Sequence, residues 1–143
     1  MTVAVIGSVG VPATYGGFET LVENLLGDRP SDFVVYCSGT HYANKPGFYK
    51  GAKLVYMPFS ANGPMSICYD VLSIIHGIIN GYKRFLVLGT SGAVIFPLVR
   101  LCFPKVILIT NLDGIEWRRS KWGGFAKVVL KISEWLAAKL SHI

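Results

Sequence analysis

Short apolar runs alternate with amphipathic stretches along most of this chain. The apolar runs predict strands at residues 3–6, 33–37, 54–58, 85–88 and 106–110. Apolar residues at helical spacing predict helices at 18–26, 65–80, 93–103 and 121–140. Because strands and helices alternate, we predict an α/β fold. Its sheet is doubly wound, mostly parallel and Rossmann-like, with helices on both faces.

The opening of the chain joins a strand, a glycine-rich loop and a helix. The loop contains neither G-x-G-x-x-G nor a Gly-Lys-Ser/Thr sequence, so it is neither a dinucleotide fingerprint nor a Walker A loop. Gly16 and Gly17 stand together where the helix begins, and a glycine backbone lets a ligand approach closely. A helix N-terminus at this place favours an anionic group. The alternative is a wide turn in which the glycines only relieve crowding.

The predicted helix at 65–80 has an unusual distribution of polar residues. Its small and polar side chains form one narrow stripe, which consists of Ser66, Asp70, Ser73 and Gly77. The rest of the helix is apolar, which predicts that most of it is buried. The lone His76 on this helix is predicted to be a packed core residue.

Composition adds constraints on the surface and on partners. The chain has 143 residues, enough for one domain with a core of its own. Hydrophobic residues make up 52% and charged residues only 15%, which predicts an apolar surface facing a missing domain or a membrane. The net charge of +6 favours anionic partners. The longest apolar stretch, 67–79, is interrupted and too short to span a bilayer.

The cysteines do not form a metal-binding or redox pattern. Cys37, Cys68 and Cys102 are far apart, and each lies in an apolar stretch. We therefore predict buried thiols, no metal site and a reducing environment. The first residues lack the basic segment of a signal peptide, which agrees with a cytoplasmic location.

Candidate chemical groups lie in loops that are predicted to meet at the carboxyl edge of the sheet, where doubly wound folds bind ligands. These loops are 16–19, 89–92 and 111–117. Asp113 and Glu116 are predicted catalytic residues, since a carboxylate there can orient a hydroxyl group or accept its proton. The alternatives are structural: Asp113 forms a turn with Gly114, and Glu116 pairs with a following arginine. Glu19 lies in the first turn of its helix, where the helix dipole stabilises an acid.

A basic and aromatic segment precedes the last helix. It consists of Trp117, Arg118, Arg119, Lys121 and Trp122. Lys127 and Lys131 continue it along the helix. Three interpretations are open: a solvated surface, a membrane interface with tryptophan at head-group depth, or a nucleic-acid contact. No recognisable nucleic-acid-binding motif accompanies the segment, so we predict no nucleic-acid partner.

Two longer stretches resemble a known enzyme family. They are GSVGVPATYGGFETLVENL at 7–25 and TNLDGIEWRRSKWGGFAKVVLKISEWLA at 110–137. Both resemble the N-terminal domain of bacterial glycosyltransferases of family 4 with the two-domain GT-B architecture, with the closest likeness to rhamnosyltransferase-like members. The resemblance implies that Gly16, Gly17 and Phe18 bind the diphosphate of the sugar donor.

The same resemblance implies a reaction and its participants. The family's retaining enzymes move a deoxyhexose such as rhamnose from a nucleoside-diphosphate sugar to a lipid-linked saccharide in surface polysaccharide synthesis. No cofactor is expected. Asp113 and Glu116 then act in catalysis, whereas Glu19 and the basic and aromatic segment contact the acceptor or the membrane.

The resemblance also bears on the organisation of the protein. We expect residues 1–143 to be a single acceptor-side domain that lacks the C-terminal donor-binding domain and has negligible activity alone. We expect it at the inner face of the membrane, and an uncovered apolar face allows homo-oligomers. The alternative is a non-catalytic module that binds the membrane surface and recruits a partner chain.

Overall fold

The computed structural model describes residues 2–11, 17–27, 29–60, 65–111 and 123–141. Its strands are β1 Val3–Ile6, β2 Phe33–Ser38, β3 Phe48–Tyr49, β4 Ala52–Met57, β5 Arg84–Leu88 and β6 Ile107–Asn111. Its helices are α1 Gly17–Leu26, α2 Met65–Ile79, α3 Phe96–Cys102 and α4 Gly124–Leu140. Two 3₁₀ turns, Pro30–Asp32 and Ser91–Ile95, precede β2 and α3. Each predicted strand and helix is present, with ends shifted by a few residues.

The strands form one sheet in the order β3-β4-β2-β1-β5-β6. Neighbouring strands are parallel except for β3, which is antiparallel to β4. The chain winds outward from β1 to β4 and then crosses to β5 and β6 on the other side. This arrangement confirms the predicted α/β fold with a doubly wound, mostly parallel sheet. The sequence did not predict β3, because a strand of 2 residues is too short to show periodicity.

Strand β1 is buried on both faces, as its continuous apolar run predicts. On one face, Val22 and Leu26 of α1 pack with Val5 in one core cluster. On the other face, residues of α2, α3 and α4 pack with Ala4 and Ile6 in a second cluster. The helices therefore lie on both faces, as predicted. We call α2, α3, α4 and the 3₁₀ turn before α3 the α2–α4 layer.

Helix α2 is oriented against the usual amphipathic pattern. Its small and polar stripe faces the protein interior, with all members buried: Ser66, Asp70, Ser73 and Gly77. Met65, Leu72 and Ile79 are exposed instead. The prediction that most of α2 is buried is therefore wrong for its outward side. Small side chains let the helix backbone approach the sheet, and the Ser73 hydroxyl donates to the backbone oxygen of Tyr69 at 2.6 Å.

Gly77→Ala is expected to lower the free energy of unfolding by about 1–3 kcal/mol. A Cβ atom at Gly77 would lie 2.6 Å from Cε1 of Phe85, whose ring is fully buried. The better helix propensity of alanine, about 1 kcal/mol, offsets only part of this loss. Urea unfolding measures the effect, with Gly124→Ala as control because Gly124 has open space around it. Wild-type stability of Gly77→Ala would contradict the close packing.

Three side chains that were predicted to be buried lie at the surface. His76 is exposed, although its Nδ1 lies 2.8 Å from the hydroxyl oxygen of Tyr36. Cys68 and Cys102 are also exposed, whereas Cys37 is buried as predicted. Burial raises the pKa of the Cys37 thiol to about 11. The wrong predictions share one cause: apolar neighbours in the sequence do not specify which side of a helix faces the sheet.

The surface of the α2–α4 layer is unusually apolar. Ile79, Leu101 and Phe125 are 78%, 80% and 85% exposed. This confirms the apolar surface predicted from composition, since side chains of this kind are ordinarily buried. Within the described ranges, every helix is too short or too polar to cross a membrane.

Candidate functional site

The sheet reverses its winding direction between β1 and β5. From β1 the chain passes through β2 to β4, and it then returns to β5 and continues to β6. Helices α1 and α2 consequently lie on opposite faces of the sheet. A crevice opens at the carboxyl ends of strands where two connections leave in opposite directions. We call this place, between residues 7–11 and 89–91, the β1–β5 crevice.

Glycines bring the walls of the β1–β5 crevice together. Gly7 has a φ of +101°, and a Cβ atom there would lie 2.1 Å from the carbonyl oxygen of Leu88. Gly89 has a φ of +89°, and a Cβ atom there would lie 3.7 Å from Cε2 of Phe18. Gly17 begins α1 with open space around it. The structure thus places Phe18 beside the loop after β5 and Gly17 at the start of α1, and their binding of the donor diphosphate stays a prediction.

Glu19 holds the loop that follows β1. Its side chain is 6% exposed, and its Oε1 accepts a hydrogen bond from the backbone nitrogen of Val9 at 3.0 Å. The carboxylate accepts a hydrogen bond from the backbone N–H of Val9, which lies beyond the end of β1 and so outside the hydrogen bonds between strands. The structure therefore gives Glu19 an internal role, and its contact with an acceptor or a membrane stays a prediction.

Two buried hydroxyl groups at the crevice lack a hydrogen-bond partner in the described part of the chain. Ser8 and Thr90 are 1% and 4% exposed, and both of their hydroxyl oxygens are unpaired. The pairing of Ile6 with Val87 puts both residues at the same edge of the sheet. A buried polar group without a partner costs about 1–3 kcal/mol, so the two hydroxyls point to a ligand or water at this edge.

Sequence reasoning did not identify these hydroxyl residues. It treated 7–10 and 89–92 as glycine-rich turns and considered only their backbone. One feature of the sequence could have identified them. Ser8 and Thr90 each lie two positions after the end of a buried strand, at the edge where doubly wound folds bind ligands.

Helix α2 contributes two side chains beneath the crevice. Asp70 is 2% exposed and accepts a hydrogen bond from the Ser91 hydroxyl. Burial raises the pKa of Asp70 from 3.8 to about 7, although the bond from Ser91 lowers it. The Tyr69 hydroxyl lies 2.8 Å from the backbone oxygen of Ser8 and 2.9 Å from that of Tyr36, so its one proton is shared between them and links the loop after β1 to β2. Neither the role of Asp70 nor that of Tyr69 was predicted from the sequence. For Asp70 a signal was present, since it is an acid in an otherwise apolar helix.

Strand β6 ends at the same edge. The backbone nitrogen of Gly89 donates to the oxygen of Asn111 at 2.9 Å, so the chain leaves β6 beside the crevice. The other predicted site residues lie outside the described residues, and their roles stay predictions: Gly16, Asp113, Glu116, Trp117, Arg118, Arg119, Lys121 and Trp122. The acids, cysteines and histidines within the described ranges form no group that could hold a metal ion.

The chemistry of the crevice suits a polar, anionic ligand. The first turn of α1 presents backbone N–H groups, which favour phosphate oxygens. The hydroxyls of Ser8 and Thr90 can each donate one hydrogen bond and accept others. Asp70 is held behind them by Ser91 and anchors the loop after β5.

These features define a doubly wound α/β domain with a candidate ligand site where its winding reverses. The chain belongs to the family DUF1972, described as a domain of unknown function, whose family model matches residues 1–143. A search of the curated proteins finds no match to the chain, and a search of the solved structures finds none either. Family membership therefore covers the whole chain and names no activity.

Proposed function

We propose that this chain is the acceptor-side domain of a retaining glycosyltransferase that moves a deoxyhexose from a nucleoside-diphosphate sugar to a lipid-linked saccharide. The observation that carries the proposal is the pair of buried, partnerless hydroxyls of Ser8 and Thr90 in the loops that follow β1 and β5. A nucleotide sugar supplies oxygen atoms to such hydroxyls and an anionic diphosphate to a helix N-terminus. The resemblance of 7–25 and 110–137 to family 4 enzymes supports the same reaction class.

The proposal gives each group a task. In the reaction, the bond from the anomeric carbon to the diphosphate oxygen breaks, and a bond from that carbon to the acceptor oxygen forms. Gly17 and Phe18 lie under the diphosphate, and the hydroxyls of Ser8 and Thr90 bind oxygens of the sugar or the acceptor. Asp113 accepts the acceptor's proton, a contribution of about 10²–10⁴ in rate, and Glu116 orients the acceptor. The placement of both carboxylates rests on the sequence.

Sugar transfer requires donor and acceptor to be held together with water excluded. In the GT-B architecture, a second domain supplies the other wall of the reaction cleft. We therefore expect residues 1–143 alone to transfer no measurable sugar.

The test is a transfer assay with radiolabelled nucleoside-diphosphate sugars and lipid-linked saccharides. The chain is assayed alone and after co-expression with a separately encoded GT-B donor-binding domain, and we expect label in the lipid fraction only after co-expression. Asp113→Asn is expected to lower the rate by about 10²-fold or more. Label transferred by residues 1–143 alone would contradict the need for a second domain. Absence of transfer in every combination, or full activity of Asp113→Asn, would overturn the proposal.

A second pair of variants tests the hydroxyls. Ser8→Ala and Thr90→Val are expected to reduce transfer by about tenfold while leaving the free energy of unfolding unchanged or higher, because neither hydroxyl has an internal partner. Ser38→Ala is the matched control, since the Ser38 hydroxyl donates to the backbone oxygen of Phe59 at 2.7 Å, and its loss is expected to destabilise the fold. Equal destabilisation in all three variants would assign the crevice hydroxyls to folding rather than to a ligand.

A further inference from the structure

Exposed apolar side chains are concentrated on one side of the protein. Among the described residues, every large apolar side chain that is exposed lies between Met65 and Trp135, apart from Leu25 on α1 and Phe48 on β3. This stretch of the chain contains α2, α3 and most of α4. The outer face of the α2–α4 layer is therefore far more apolar than the α1 side of the sheet.

Helix α4 shows the pattern most clearly. Its buried positions are Leu130, Ser133 and Ala137. Its opposite side carries an exposed stripe at spacings of three and four residues, which consists of Phe125, Val128, Ile132 and Trp135. Because 3.6 residues make a turn, these side chains form one continuous ridge pointing away from the sheet. Helix α4 is thus apolar on both sides, and only one of these sides is explained by the core.

The fully exposed charges beside this ridge are basic. Arg100, Lys131 and Lys139 are exposed on the α2–α4 layer. The acids described in this layer are at least partly buried: Asp70 is 2% exposed, and Glu134 is half-buried with one carboxylate oxygen fully buried. An apolar face flanked by basic residues is complementary to a lipid bilayer, whose acyl chains are apolar and whose head groups can be anionic.

The apolar face continues into a pocket. Ile78, Tyr82 and Phe103 line a cavity of about 310 Å³, and Phe103 also belongs to the exposed apolar set. Lys83 and Lys105 line the same pocket, and both are exposed. The apolar walls of the pocket suit the acyl chain of a lipid, and the two lysine ammonium groups suit its anionic head group.

We propose that the outer face of the α2–α4 layer docks on an anionic lipid bilayer. Trp135 lies at head-group depth, Phe125, Val128 and Ile132 enter the acyl boundary, and the basic residues contact lipid phosphates. A second copy of the chain fits less well, because a two-fold contact would set the same basic residues against one another. This surface differs from the 117–122 segment predicted from the sequence, and the proposal does not depend on sugar transfer.

The docked orientation also places the crevice. Helix α4 packs on the 3₁₀ turn Ser91–Ile95, which follows the crevice loop, and Ser141 at the end of α4 forms a hydrogen bond with Thr110 of β6. The α2–α4 layer that docks on the membrane therefore extends to the carboxyl edge of the sheet, where the β1–β5 crevice lies.

Vesicle sedimentation tests the docking surface without any sugar. The probes are phosphatidylcholine vesicles with and without about 30% phosphatidylglycerol. We expect binding only to the anionic vesicles, weakened when salt rises from about 0.1 to about 0.5 M. The double variant Ile132→Ser with Trp135→Ser is expected to lose at least about tenfold in affinity for the anionic vesicles. Phe48→Ser is the matched control, because Phe48 is 66% exposed on β3, away from the layer.

A charge variant and a spectroscopic variant separate the contributions. Lys131→Gln with Lys139→Gln is expected to weaken binding to anionic vesicles, whereas Lys53→Gln, at an exposed position of β4, leaves it unchanged. A protein with Trp117→Phe and Trp122→Phe retains Trp135 as its single tryptophan, because the chain has 3. Its emission is expected to shift to shorter wavelength on anionic vesicles and to be quenched by brominated lipid.

Several outcomes would overturn the docking proposal. One is wild-type protein that stays in solution with anionic vesicles. Another is a double variant that binds as wild type does, or a Trp135 emission that vesicles do not change. A dimer in sedimentation velocity that the double variant dissociates, together with no vesicle binding, would assign the face to a second copy. None of these results bears on the transfer assay, so the two proposals fail separately.

Discussion

Gly7→Ala is expected to destabilise the protein by about 3 kcal/mol or more. Two independent causes add up at this position. The φ of Gly7 is +101°, where a residue with a Cβ atom is strained. In addition, the new Cβ atom would lie 2.1 Å from the backbone oxygen of Leu88, which the strand pairing of β5 holds in place. Relief requires β1 and β5 to move apart, and this would open the crevice.

Gly81→Ala separates the two causes. Gly81 has a φ of +88°, close to that of Gly7, but no atom lies within 4 Å of the added Cβ position. Gly81→Ala is therefore expected to lower the free energy of unfolding only by the backbone strain, about 1–2 kcal/mol. Urea unfolding of both variants at one temperature gives the difference, which measures the close approach of β1 and β5. The same loss in both variants would mean that the two strand ends are not in contact.

The stability advantage of Asp70→Asn over wild type is expected to increase by about 1.4 kcal/mol per pH unit between about pH 4 and 7. Burial raises the pKa of Asp70 from 3.8 to about 7, so between these values the folded protein holds a proton that the unfolded chain has lost. The stability that this proton contributes is complete below about pH 4 and is lost as pH rises to about 7. The asparagine side chain of the variant has no proton to lose in this range, and its amide oxygen accepts the same bond from Ser91.

Urea unfolding at half-unit pH steps, for wild type and Asp70→Asn, measures this linkage. The difference between the two curves is expected to grow from about pH 4 and to level off above about pH 7. Ser91→Ala is the second variant, because loss of its hydrogen bond removes the contact that lowers the pKa of Asp70. In this variant, the pH above which the stability difference stops growing is expected to be higher. Parallel curves for wild type and Asp70→Asn would mean that Asp70 is not the buried, protonated group described above.

Much of the architecture was predictable from local pattern. The run 3–6 predicts a strand buried on both faces, and Val5 on one side and Ala4 on the other confirm it. Pro97 lies in the first turn of α3, where a proline needs no helical hydrogen bond from its nitrogen. These predictions succeed because strand and helix periodicity, and the fixed φ of proline, depend on residues close in sequence. The two-residue strand β3 carries too little pattern for such a prediction.

The candidate site was predictable only in its position. Alternation of strands and helices is sufficient to place the loops after β1, β5 and β6 at one edge, and the backbone contact of Gly89 with Asn111 agrees with it. The side chains that meet at this edge were not predictable. The bond from Ser91 to Asp70 joins residues of α2 and of the turn after β5, and no sequence pattern records that distance.

Local periodicity and the handedness of parallel connections are enough to predict the order of strands and helices, the doubly wound class and the loops that share an edge. The inward side of α2, the buried hydroxyls without a partner and the apolar outer ridge of α4 are visible only in the folded chain. Those outcomes depend on packing between elements distant in the chain. In α2, close approach of a small-residue stripe to the sheet leaves Met65, Leu72 and Ile79 outside, although Tyr69 and Ile74 are buried beside that stripe.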